Sequence, residues 1–318
     1  MKATLWPLFA IASFTFRDVL RQPLFGIVLL AGLFAEALGP HVALFTVRGE
    51  DALLADFGLS TLLLALLVMT CFSASGVMRR EIETRTTLVL FSKPVSRSLF
   101  LIGKLLGVAG ALTLAAWTLA LALLLAVRQG PIGAFAANLD APATIASVGG
   151  PIVAILLSTA SAAMGRRSFG ASLASSSVIT MTIGFVLVSA LGPRGGFEAW
   201  GTRIDPLVVR AALLGWLAIF VLCAFAIAAS VWVGRSGTFV LTVAFFVAGL
   251  VRSRLPAPWP SLLAFTPELE VFYVGELFYV RGGTLPFSYL AWAAIHSAAY
   301  ATGYVVFGVF LFARRHLD

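Results

Sequence analysis

The chain is 318 residues long, 60% hydrophobic and only 11% charged, with a mean hydropathy of +1.00. Soluble domains carry about 25% charged residues, so there is too little polar surface here to coat a water-soluble globule, and the composition points to an integral membrane protein. The net charge of +8 does not signal a nucleic-acid partner, because the Lys and Arg residues flank apolar runs instead of forming a basic module of their own.

Residues 1–22 read as an interfacial helix. Leu5, Phe9, Ala12, Phe16 and Val19 share one face, while Ser13, Arg17 and Arg21 share another that suits lipid headgroups. A single Lys2 precedes the apolar stretch, which favours a retained helix over a cleaved leader. A span needs about 20 apolar residues. Candidates are 22–47, 57–78, 105–127, 141–165, 168–193, 211–234, 236–251 and 286–313. The first is interrupted by Glu36 and ends near Gly39-Pro40-His41, which places Glu36 toward the outer headgroups and makes it a possible pathway residue. The Ser-rich run 168–182 reads as a close-packing face. Residues 253–285, aromatic and interleaved with acids, read as an outer-side interfacial segment. Cys71 and Cys223 each lie inside an apolar run and read as core residues.

The fold expected is an all-α polytopic membrane protein in one transmembrane domain over 1–318, with the interfacial helix plus about eight, alternatively six, transmembrane helices. With the N-terminus in the cytoplasm and eight crossings, fourteen Lys and Arg residues fall on the cytoplasmic side and eight on the other. That bias supports this orientation, with both termini cytoplasmic. No G-x-x-x-x-G-K-[ST] motif occurs, so ATP hydrolysis is not expected in this chain. No H-E-x-x-H occurs, and His41, His296 and His316 have no metal-ligand spacing. No cofactor is expected, and nothing in the sequence suggests an enzyme.

The exception to this apolar character is the segment 78–104, MRREIETRTTLVLFSKPVSRSLFLIGK. Glu81 and Arg85 are spaced i,i+4 with the acid first, the favourable order for a helical pair. The preceding helix is therefore expected to continue to about Phe91. Pro94 cannot continue it and pushes Lys93 out of the helical region. Ser96 is placed to cap the next helix, which carries Lys104 into the membrane. The result is a helix, a sharp turn and a helix at the cytoplasmic surface over 78–98. This shape suits either a docking element or a solvated loop whose charges fix topology.

The residues Glu81, Glu83, Thr84, Arg85, Thr86, Leu88, Leu90, Ser92, Lys93, Pro94, Val95, Ser96, Arg97, Gly103 and Lys104 resemble the signature of ABC-2 type transporter permeases. The variant with EIETRT and SKPVSR is similar to the subgroup that includes permeases of copper-enzyme maturation systems. The resemblance is specific over about 27 residues, and more general agreement extends to the N-terminal helix, the outer aromatic segment and the last span. It implies a permease subunit, in a bacterial inner membrane, that works as an exporter with separate cytoplasmic ABC ATPase subunits and a second permease subunit. Glu81, Glu83, Arg85, Lys93, Pro94, Val95, Ser96 and Arg97 would then transmit ATPase motion as a coupling helix. The family's usual pattern has six spans, so 141–192 reads as an added hairpin. A secondary transporter would instead need a coupling carboxylate near the midplane, and Glu36 is the only candidate. A third reading is a non-transporting membrane mechanotransducer, which would use the same coupling segment.

Overall fold

The computed structural model describes residues 2–42, 49–83, 96–130, 140–165, 168–280 and 283–314. Among them the secondary structure is helical apart from one isolated bridge between Leu191 and Phe197. The helices are α1 (Lys2–Leu20), α2 (Pro23–Val42), α3 (Glu50–Glu83), α4 (Arg97–Gln129), α5 (Ala141–Ala163), α6 (Phe169–Val188), α7 (Pro206–Ser230), α8 (Arg235–Val251) and α9 (Phe287–Arg314). Eight of them, α2 to α9, are long and apolar enough to cross a membrane. The chain is an all-α polytopic membrane protein.

Helix starts follow local chemistry. Ser96 caps α4 by accepting a hydrogen bond from the Leu99 amide at 3.3 Å, as expected from the sequence. Asp140 accepts from the Ala143 amide at the start of α5, and Asp205 accepts from the Leu207 amide at the start of α7. Each Asp is followed by a proline within two residues, where a missing amide hydrogen costs nothing. At its other end α4 closes on Gly130, whose φ of 69° lets its amide reach back to Ala126 and Val127.

The centre of the bundle is α3, α4 and α7, with α2, α8 and α9 packed around them and the α5–α6 hairpin set against α4 and α2. Small residues set the closest approaches, as expected where lipid removes the hydrophobic drive between helices. The Ser-rich run behaves as a packing face: Ser176 on α6 bonds Ser158 at 2.7 Å and donates to the Ala154 carbonyl of α5 at 3.0 Å. Cys71 and Cys223 are buried and free.

α1 lies along the first half of α4. A Cβ added at Gly107 would sit 2.6 Å from the Ala12 carbonyl, so the two backbones nearly touch there. The side of α1 that meets the bundle runs through Ile11, Thr15 and Val19, while Phe9 is 75% exposed. Of the apolar face read from the sequence, Ala12, Phe16 and Val19 lie on the packed side, where the glycine row Gly103, Gly107 and Gly110 on α4 also accepts Ile11 and Thr15, and Phe9 lies outside it.

The bundle has two distinct ends. At one end the α1–α2 junction lies against Gly170, and Gln22 faces Gly76. At the other, Arg128 of α4 reaches Asp140 of α5 and the Val188 and Leu191 carbonyls after α6. The first is the cytoplasmic end in the orientation drawn from Lys and Arg, and the second is the outer end.

Candidate functional site

The segment 78–98 begins on α3 and ends on α4. These helices have 34 and 33 residues, about 50 Å each, against a hydrocarbon core of about 30 Å. Glu81 and Glu83 lie on the last turns of α3. The continuation toward Phe91, and the positions Arg85, Lys93, Pro94 and Val95, lie outside the described residues. Ser96 and Arg97 are described, and each has a defined partner. Ser96 caps α4. The Arg97 guanidinium donates to the Ala313 carbonyl at 2.9 Å and approaches the Phe312 carbonyl at 3.4 Å. A cation thus sits on the carboxyl end of α9, where the helix dipole is negative. Two turns further into α4, Lys104 is only 2% exposed, and its ammonium lies 5.8 Å and 5.4 Å from the ring centres of Phe14 and Phe100.

Glu36 is not at the headgroups. α2 continues through Pro40 to Val42, and Glu36 is 1% exposed inside the protein. It lies six residues, about 9 Å, below the outer end of its helix. Gly58 of α3 makes room for it: a Cβ there would fall 2.7 Å from Glu36 Oε2 and 2.3 Å from Leu123 of α4. Glu36 Oε1 accepts no hydrogen bond from the described residues. The carboxyl is buried by protein rather than lining the 490 Å³ or 670 Å³ cavities of the bundle. The sequence expectation failed because Gly39-Pro40 does not stop α2.

The outer segment is built into the bundle more deeply than an interfacial loop. It forms short turns at Trp259–Leu262, Leu269–Phe272 and Gly275–Tyr279. Leu269, Phe272 and Val274 are buried. Tyr273 donates to Asp56 near the start of α3 and lies 2.9 Å from Ser60 Oγ. Burial first, and then the Asp56 carboxylate that accepts its proton, push the Tyr273 phenol up to about 12. Glu270 accepts from Ser253 and Arg254, which hold its carboxyl below the usual range. From α9, Tyr289 donates to the Val271 carbonyl at 2.7 Å and Tyr304 to the Phe265 carbonyl at 2.6 Å. Between this segment and the outer ends of α8 and α9 lies a cavity of about 670 Å³, mostly apolar, with Arg254, Glu270, Tyr273 and Glu276 on its border.

Sequence reasoning missed Asp56 and Tyr273, which are 217 positions apart. The only signal was an acid in the first turns of a span and a tyrosine in an aromatic outer run. His296 packs as a ring, 5.1 Å from Trp292 and 4.8 Å from Tyr300 between centroids.

No protein-family model matches the chain, and no curated protein matches it. The fold and these sites define a multi-pass membrane protein with one end tied through Arg97 and the other covered by the segment 253–285.

Proposed function

We propose that the chain is the membrane-spanning permease subunit of an ABC-2 type transporter, an exporter driven by a separate cytoplasmic ATPase pair and completed by a second permease subunit in a bacterial inner membrane. The supporting observation is that α3 and α4 are both about 20 Å longer than the hydrocarbon core. Both extend toward the end that carries the stretch resembling the family's coupling segment. Ser96 and Arg97 give that end a fixed foundation, as a transmitting element requires. A permease of this kind would be a two-state body biased by nucleotide binding to its partner. ATP chemistry would belong to the partner. A secondary transporter would use Glu36, which lies nearer the middle of α2 than its end, but the carboxyl is enclosed by protein and borders neither cavity, which gives that mechanism little support.

The test is co-purification with ATP-binding-cassette ATPases from the same cell, followed by an ATPase assay on the complex. Reversing Glu81 and Glu83 to Lys is expected to leave insertion intact and to weaken ATPase docking by at least an order of magnitude, a loss of about 1.4 kcal/mol or more. Unchanged docking would remove the coupling assignment.

A further inference from the structure

The cavity of about 670 Å³ between the outer segment and the ends of α8 and α9 has the size of a small-molecule site, for which about 300–1,000 Å³ is usual. Most of its border is aliphatic: Leu250 and Val251 of α8, Val274 and Leu277 of the outer segment, and Leu285 and Pro286 ahead of α9. Tyr273 and Tyr289 complete the wall, and both have spent their hydroxyls elsewhere. Tyr273 donates to Asp56, and Tyr289 donates to the Val271 carbonyl at 2.7 Å. What they bring to the cavity is therefore ring carbon, and aromatic rings attract cations.

Three charged side chains stand on the border, and they are not equivalent. Arg254 is committed, because its Nη2 and Nε donate to Glu270 at 2.8 Å and 3.3 Å. Ser253 donates to the same carboxylate, so Glu270 is satisfied as well. Glu276 is left over. Its neighbour Gly275 is buried with its Cβ position against the Asp56 carboxylate, which pins this turn in place. Glu276 itself is exposed and forms no ion pair or hydrogen bond with a described residue. Among the described border residues, one guanidinium against two carboxylates leaves one negative charge beside carbon walls and two aromatic rings. An anion would find its cation already taken. A metal ion needs about six oxygen ligands and would find one uncommitted carboxylate. A neutral apolar molecule gains nothing from Glu276. An organic cation gains from the carboxylate, the rings and the walls together.

We infer that this cavity binds an organic monocation carried on an apolar body, an ammonium or a phosphonium. The inference does not rest on the permease reading and needs no ATPase. It is tested with tetraphenylphosphonium by equilibrium dialysis against the full chain in nanodiscs, which open both faces to solution, with empty nanodiscs as the baseline for partition into lipid. Tetraphenylborate, of the same shape and opposite charge, is the comparison. Saturable binding of one phosphonium per chain is expected, with no saturable binding of the borate. Glu276→Gln is expected to weaken the phosphonium about tenfold, and Thr284→Trp, at an exposed position on the border, to abolish its binding. Asp51→Asn removes an exposed acid at the start of α3, outside the border, and leaves binding unchanged. Lipid distinguishes the two sources of such a cation. Binding in phosphatidylglycerol that phosphatidylcholine suppresses identifies a headgroup ammonium as the natural occupant, and equal binding in both identifies a free one. No saturable phosphonium binding in either lipid would overturn the proposal, as would equal binding of phosphonium and borate. So would binding that Glu276→Gln leaves unchanged, or a loss in Asp51→Asn as large as that in Glu276→Gln, which would mean a diffuse surface field.

Discussion

Tyr273 joins the outer segment to the bundle through one proton, shared toward Asp56 with Ser60 alongside. Its folded pKa of about 12 lies above the ordinary value of 10.0. The folded state therefore holds this proton more tightly than the unfolded chain does. The contribution is complete below about pH 10 and fades as pH rises toward about 12. Hydrogen exchange across residues 265–280 is expected to accelerate over that alkaline window in the native protein. Tyr273→Phe should exchange faster already at neutral pH, by an amount corresponding to about 1.5–3 kcal/mol for one hydrogen bond lost to a charged acceptor, and should lose the alkaline step. At this scale the sequence was legible where chemistry is local. Ser96 could be read as a cap because cap and recipient are three residues apart. Asp56 and Tyr273 could not be paired, since only the folded bundle brings them together, and Glu36 was misplaced because neighbouring helices shield it.

The α5–α6 hairpin is fastened to the bundle at its outer end by Arg128. That side chain and Asp140 are each only 5% exposed and meet at 3.0 Å, and Arg128 also donates to the Val188 carbonyl at 2.7 Å. One residue of α4 thus holds the start of α5 and the end of α6. Arg128→Met leaves the Asp140 carboxylate buried without its cation, which costs about 3–5 kcal/mol. The expected result is a lower unfolding temperature, with faster hydrogen exchange confined to residues 140–150 and 185–203. Adding Asp140→Asn should restore part of the loss, because the stranded charge is then gone. The hairpin's existence was legible from two apolar runs of span length. Its fastening was not, because an arginine beside an apolar run reads equally well as a topology signal.

For the whole molecule, hydropathy alone placed the eight helices that, among the described residues, are long and apolar enough to cross a membrane, since runs of this length have few alternatives in lipid. Sidedness came from an excess of fourteen cations over eight, and it has a direct check. Gly196→Cys and Gly234→Cys occupy open positions on opposite ends, where an added Cβ meets nothing within 4 Å. A membrane-impermeant maleimide applied to intact cells is expected to label the first and spare the second until the membrane is opened. The native Cys71 and Cys223 are buried and should stay silent. Labelling in the opposite order would invert the topology and place residues 78–98 away from the cytoplasm, against the coupling role proposed for them. The grip of Arg97 on the carboxyl end of α9 has a mechanical meaning within this frame. α9 is 28 residues long, a rod of about 42 Å. Arg97 holds its inner tip, and its Tyr289 and Tyr304 hold the outer cover at Val271 and Phe265. This one rod therefore joins the Arg97 end of the bundle to the cover on the far side, and it is seated along the way on the central helix α7, where Ser297 donates to the Leu217 carbonyl at 3.0 Å.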